Sequence, residues 1–301
     1  MPYGFPSGQQ LLQEAQSYET PDRLAGFINT PARAGAEAFF AALRGTLDQS
    51  IDAMLETLPP PVVEGGKGFI ARFLLDREYD ARTRGPKPHP DQKKLGYRWL
   101  PHLWNILDFR SLKDFRATPI QFVTYNYDRS LEHALFEAIT VKFPGSTPDQ
   151  CREAMDCIGP IHLHGQLGPL PELAGASGTV PYGGGGASGP TDKDCMIATQ
   201  AIQIVHEPTP QSEPFIRARA AIAWADRIIF LGFGYSKTNV DRLLLKDCLR
   251  KEANVFLCVL GFTEAQQLQT LKPLFDGWNV TMGREEYDIV EFFRHNPHAL
   301  L

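Results

Sequence analysis

Phe122-Val123-Thr124-Tyr125-Asn126-Tyr127-Asp128 is the stretch on which the reading of the fold turns. The β-branched and aromatic run from Ile120 to Thr124 reads as a buried strand. It stops at the polar Asn126 and Asp128, and an amphipathic run from Arg129 to Thr140 then reads as a helix. Asn126 therefore stands at the carboxyl end of a strand, just before a helix, where open α/β sheets present ligand-binding groups. Capping of that helix by Asn126 or Asp128 is the competing reading, because both residue types favour the position.

Upstream of this stretch the pattern is helical. Ser7 is placed to cap a helix running through Leu11, Leu12 and Ala15. From about residue 35 to 116 three apolar stripes follow one another. The first, Ala38 to Leu58, is ended by Pro59-Pro60-Pro61. The second carries Phe69, Ile70, Phe73, Leu74 and Leu75. The third, Lys94 to Phe109, carries Trp99 and Trp104, whose spacing favours core packing over exposed stacking platforms. The segment reads as an all-helical module inserted in a sheet domain.

Downstream, Ile158 to Gly165 closes as a short strand with His162 and His164 two apart, hence on one face. A strand histidine is commonly a packed core residue. Gly165 argues for His164 as the ligand-facing one, because glycine permits close backbone or ligand approach beside it. Residues 166–194, with the run Gly183-Gly184-Gly185-Gly186, read as a flexible surface loop or lid. No Gly-Lys-Ser/Thr follows to make it a phosphate loop. Ala201 to His206 reads as a strand and Pro214 to Trp224 as a helix. The strand Arg227 to Leu231 runs into Gly232-Phe233-Gly234-Tyr235-Ser236, and a helix spans Val240 to Arg250. A strand (Asn254 to Leu260) and two helices (Glu264 to Leu274, Glu285 to Arg294) complete the pattern. Strands alternating with helices imply an α/β fold, a mostly parallel, doubly wound sheet.

Composition narrows the function. The 301 residues, 43% hydrophobic and 22% charged, suit one large α/β domain or two small ones. A net charge of -5 gives no broad nucleic-acid surface. No apolar run reaches the roughly 18–20 residues of a membrane helix. The five scattered cysteines, without any C-x-x-C, fit a reducing cytoplasm and leave no metal site to expect.

Three stretches, Thr124-Tyr125-Asn126-Tyr127-Asp128, Leu163-His164-Gly165 and Gly232-Phe233-Gly234-Tyr235-Ser236, together resemble the bacterial sirtuin-like proteins, relatives of the silent information regulators. Gly4-Phe5-Pro6-Ser7 resembles that family's Gly-x-Pro segment. Ser50-Ile51-Asp52 and the Trp-rich helix resemble the helical insert of its bacterial branch. The resemblance implies a Rossmann-like sheet that binds NAD. Sirtuin deacetylases carry a zinc ribbon with paired C-x-x-C motifs; this chain has none, so the resemblance points away from deacetylation. It points to the zinc-free antiphage branch, whose members hydrolyse NAD to nicotinamide and ADP-ribose.

In that branch Asn126 would hold the ribose and the attacking water, His164 would be the general base, and Asp128 would orient Asn126 or the ribose hydroxyls. Gly4, Phe5, Pro6, Ser7, Thr124, Tyr125, Gly165, Gly232, Gly234, Tyr235, Ser236 and Asn239 would line the dinucleotide. The family's first strand and Gly-Ala-Gly-x-Ser loop have no counterpart here, because Met1 falls just beyond where they would end; the expectation is a translation start upstream, the alternative a truncated chain with weak NAD binding or none. Further expectations are a homo-oligomer and a gating partner such as an ATPase, an Argonaute or a nucleotide sensor. The competing reading is a module that senses NAD or ADP-ribose without turnover.

Overall fold

The computed structural model describes residues 8–17, 30–46, 51–84, 99–175, 177–204, 211–235 and 237–300. Among the described residues, the first helices are α1 (Gly8–Ser17), α2 (Thr30–Gly45), α3 (Ile51–Leu55) and α4 (Pro60–Arg84). Phe39, Phe40, Leu43, Met54, Phe69 and Phe73 interlock in their shared core. α2 and α4 meet closely at two glycines. A Cβ on Gly35 would stand 2.1 Å from the Pro61 carbonyl oxygen, and one on Gly65 would stand 2.4 Å from the Gly35 carbonyl carbon. The three prolines do not only end a stripe, as expected. Pro60 and Pro61 begin α4, since the first helical turn has no intrahelical use for their missing N–H.

α5 (Trp99–Leu107) and α6 (Leu112–Ala117) pack elsewhere. Trp104 lies 5.1 Å from Phe109 and 5.9 Å from Phe115, ring centre to ring centre, in a core shared with the helices that follow β1. The described helices of the stretch 35–116 are thus divided between two cores. α4 carries an apolar surface complementary to residues 167–204, whereas α5 and α6 fit residues 131–158.

β1 (Val123–Thr124) leads into α7 (Ser130–Lys142) and α8 (Pro148–Ile158), and β2 (Ile161–His162) lies parallel to β1 with Val123 beside Ile161 and Thr124 beside His162. The segment after β2 holds a short helix α9 (Pro171–Ala174) and then α10 (Asp192–Ala201). α10 begins inside the stretch expected to be a loop, residues 166–194, and reaches the first residue of the strand expected over 201–206. Thr191 and Asp194 form a reciprocal capping box that starts the helix, and among the described residues 201–204 the strand signal shows as one antiparallel bridge, between Ile202 and Gly165. His206 lies outside the described residues.

The last third holds α11 (Glu213–Trp224), β3 (Arg227–Phe230), α12 (Lys237–Leu243), α13 (Leu245–Cys248) and β4 (Asn254–Leu257). α14 (Glu264–Gln266), a π-helical turn (Gln267–Leu271), α15 (Lys272–Leu274), β5 (Asn279–Met282) and α16 (Ile289–His295) follow. One helix was expected over 240–250; Leu244, at φ 51° and ψ 46°, divides it. The wide π turn comes just before Pro273, which cannot donate an intrahelical hydrogen bond. β5 escaped the sequence reading because Asn279 to Met282 has no continuous apolar run.

The class is mixed α/β, with β3, β4 and β5 all parallel in that order. The single doubly wound sheet expected is not what the described residues form: β1 and β2 make one parallel sheet, and β3 to β5 make another.

Candidate functional site

The carboxyl ends of β1, β2 and β3 converge through Tyr125. Its ring centre lies 5.3 Å from that of His164 and 5.6 Å from that of Phe233, and its hydroxyl donates to the Asn239 carbonyl at 2.7 Å. Parallel pairing produces this convergence. Thr124 pairs with His162, so the chain beyond each strand carries Asn126 and His164 to matching levels.

Asn126 donates its backbone N–H to Thr124 Oγ1 at 3.0 Å, and its carbonyl accepts from His162 Nδ1 at 2.7 Å. Its carboxamide makes no hydrogen bond among the described residues. The other nitrogen of His162 stands 2.5 Å from Glu132 Oε1. His162 is therefore clamped on both sides. Burial opposes its charge, yet the Glu132 carboxylate and the Asn126 carbonyl hold its pKa above the ordinary 6.5.

His164 is its opposite. It is 2% exposed, between Tyr125 and Phe215, whose ring centre is 5.8 Å away. Neither ring nitrogen has a partner among the described residues. Burial, and then the Arg242 guanidinium, push its pKa down to about 4. The ring is neutral at pH 7. Arg242 Nη1, also buried, is unpaired among the described residues.

Several expected ligand groups have structural duties. Asp128 Oδ1 accepts the Ser130 N–H at 3.2 Å, but the N-cap of α7 is Arg129 and no side chain caps the helix, so neither Asn126 nor Asp128 is the cap the competing reading expected; no hydrogen bond joins Asp128 to Asn126 among the described residues. Burial, with Glu78 and Glu132 nearby, raises its pKa. Gly165, at φ 72°, is needed for backbone approach: a Cβ there would stand 2.1 Å from the Ala201 carbonyl oxygen. Tyr235 is a buried core residue against Phe230, Phe262 and Phe275, so its ring is turned to the sheet and not to a ligand. Gly232 and Gly234 are exposed with open space around them at the end of β3. Gly4, Phe5, Pro6, Ser7 and Ser236 lie outside the described residues.

The expected surface loop is folded inward. Leu167, Leu170, Val180, Tyr182, Gly183 and Gly184 are buried. Glu78 and Arg129, both fully buried, anchor it. Glu78 Oε1 accepts the Arg129 backbone N–H at 3.0 Å, and Oε2 accepts Arg129 Nη2 at 2.5 Å and the Gly183 N–H at 3.0 Å. Arg129 also donates to the carbonyls of Gly168, Val180 and Pro181. The glycine run is thus a tight backbone fit over α4, since a Cβ on Gly183 would stand 2.5 Å from Tyr79 Cα.

Glu132, Arg242 and the Glu78–Arg129 pair were missed from sequence. Only Glu132 had a local signal, four residues past Asp128 on the helix face that returns to the strand end. Among the described residues no group of three His, Cys, Asp or Glu side chains is placed to hold a metal ion, and no helix is long and apolar enough to cross a membrane. Comparison with protein-family models, curated proteins and solved structures finds no match to this chain.

Proposed function

We propose that the chain binds NAD across the carboxyl ends of β1, β2 and β3 and hydrolyses its nicotinamide–ribose bond. Water adds to the ribose carbon, nicotinamide leaves as the neutral base, and ADP-ribose and a proton are released. The observation that carries this reading is the juxtaposition, on neighbouring parallel strands, of a carboxamide and a neutral imidazole, neither with a hydrogen-bond partner among the described residues. The leaving group is already cationic and needs no general acid, so the paired carboxylates of most glycosidases are not required. Asn126 orients the ribose and the water. His164 takes the water's proton, a contribution worth about 10²–10⁴-fold in rate. Arg242 meets the pyrophosphate, and the open backbone at Gly232 and Gly234 lies against it. The resemblance of the three strand-end motifs supports a role as an antiphage effector that depletes NAD, gated by a partner ATPase, Argonaute or nucleotide sensor.

Binding without turnover is the second reading, and the burial of His164 favours it. An imidazole 2% exposed with a pKa near 4 is a weak base until Tyr125 or Phe215 moves aside. Nicotinamide release from NAD separates the two. The hydrolase reading expects release by the wild type and a loss of at least about 10²-fold in Asn126→Ala and His164→Ala. Unchanged release in both variants would remove these residues from the chemistry, and saturable NAD binding with no release would establish the sensor.

A further inference from the structure

Side chains hold the Asn126 backbone. Leu163 donates its N–H to the Thr124 carbonyl at 3.0 Å, and Leu167 donates to the Tyr127 carbonyl at 3.0 Å. Between those two backbone bonds, the Asn126 N–H goes to Thr124 Oγ1 and its carbonyl accepts from His162 Nδ1. His162 is therefore the tie between Asn126 and β2, the strand that leads to His164 two residues on.

The second partner of His162 makes that tie depend on a proton. A carbonyl and a carboxylate only accept, so the Asn126 oxygen at 2.7 Å and Glu132 Oε1 at 2.5 Å each need a hydrogen between them and the ring. A neutral imidazole supplies one. Both bonds form only when the pair holds one proton more, as imidazolium with carboxylate or as imidazole with carboxylic acid. Both side chains are 7% exposed, so water does not make good a lost bond. Burial works against the ring's charge; the Glu132 carboxylate on α7, the Asn126 carbonyl and the Asp128 carboxyl beyond β1 work for it. Glu78 on α4, near Asp128, is paired with Arg129.

We infer that Glu132 and His162 are positioning residues: their shared proton fixes Asn126 against β2, and turnover is lost when alkaline pH removes it. The inference rests on Asn126 acting in the NAD hydrolysis proposed above. His164, neutral above its own pKa of about 4, gives no alkaline loss of activity. Glu132→Gln separates the proton from the position. Its carboxamide N–H donates to Nε2 of a neutral ring, which still donates from Nδ1 to Asn126. Its oxygen takes the place of Glu132 Oε2, which has no partner among the described residues.

The test follows nicotinamide release from NAD by the full chain across neutral to alkaline pH. Alongside it, an NMR titration of the isotope-labelled protein reads the His162 ring and the Asn126 amide. In the wild type kcat should fall about tenfold or more as the pair loses its proton, with KM little changed. Glu132→Gln should lack that fall, and Glu132→Leu should be low throughout. The His162 ring and the Asn126 amide should share one midpoint in the wild type, and the amide should lose that step in Glu132→Gln. An alkaline fall that persists in Glu132→Gln would overturn the inference, as would an Asn126 amide indifferent to the His162 midpoint. A shared midpoint without nicotinamide release at any pH would sink the hydrolase reading and leave the proton-dependent tie established. Release without a shared midpoint would do the reverse.

Discussion

The two histidines two residues apart titrate in opposite senses because their neighbours differ. His164 has only aromatic rings and a cation around it, so its folded pKa of about 4 lies below the ordinary 6.5. Above 6.5 the native state bears no penalty. Between 6.5 and 4 the unfolded chain takes a proton that the native ring refuses, so stability falls as pH falls, by up to about 3 kcal/mol. His162 has its pKa raised, so its contribution is present below 6.5 and is lost as pH rises through its folded value. Urea unfolding of the wild type and of His164→Leu from pH 7.5 to 4 should therefore show a shallower decline for the variant. Parallel declines would mean that His164 is not held neutral. At the same scale, Gly183 and Gly175 separate strain from collision. Both have positive φ, 73° and 82°, but a Cβ on Gly175 meets nothing within 4 Å. Gly175→Ala should cost about 1 kcal/mol, and Gly183→Ala, which must displace the α4 backbone, more than about 2 kcal/mol.

The elements divide into those that local pattern determines and those that distant partners determine. α7, α11, β3 and β4 carry strong periodicity or unbroken apolar runs and lie within a few residues of where the sequence places them. β1 is shorter than its apolar run, with β2 its one paired neighbour among the described residues. α10 was read as part of a loop because the Thr191–Asp194 box stands just after a glycine-rich run. The strand-end positions of Asn126 and His164 were legible in the sequence; that His164 is shut behind Phe215 was not, since Phe215 belongs to a distant helix. The Glu78–Arg129 pair was invisible for the same reason, its members being 51 residues apart. Arg129→Met should lower stability by about 3–5 kcal/mol by leaving Glu78 charged and enclosed. Arg129→Met combined with Glu78→Leu should recover part of that loss. Chemical denaturation of the three variants measures both, and an additive double variant would deny the coupling.

Across the whole molecule, protection should follow pairing. Amides of Val255 to Leu257, in a strand bonded on both edges and fully buried, should exchange most slowly. Those of Val123 and Thr124, in a two-residue strand bonded on one edge, should exchange markedly faster. Uniform rates across β1 and β4 would contradict the two-sheet arrangement.

Arg129 sits where the core built on α4 meets the core built on α7 and α8, and its guanidinium closes on a carboxylate from one and three carbonyls of the intervening segment. Water can enter neither core at that junction without freeing the ion pair from both. Melting of one half thus strands a charge in the other, which couples the halves into a single cooperative unit. Calorimetry should record one heat-absorption peak for these two regions, and severing the pair should split it.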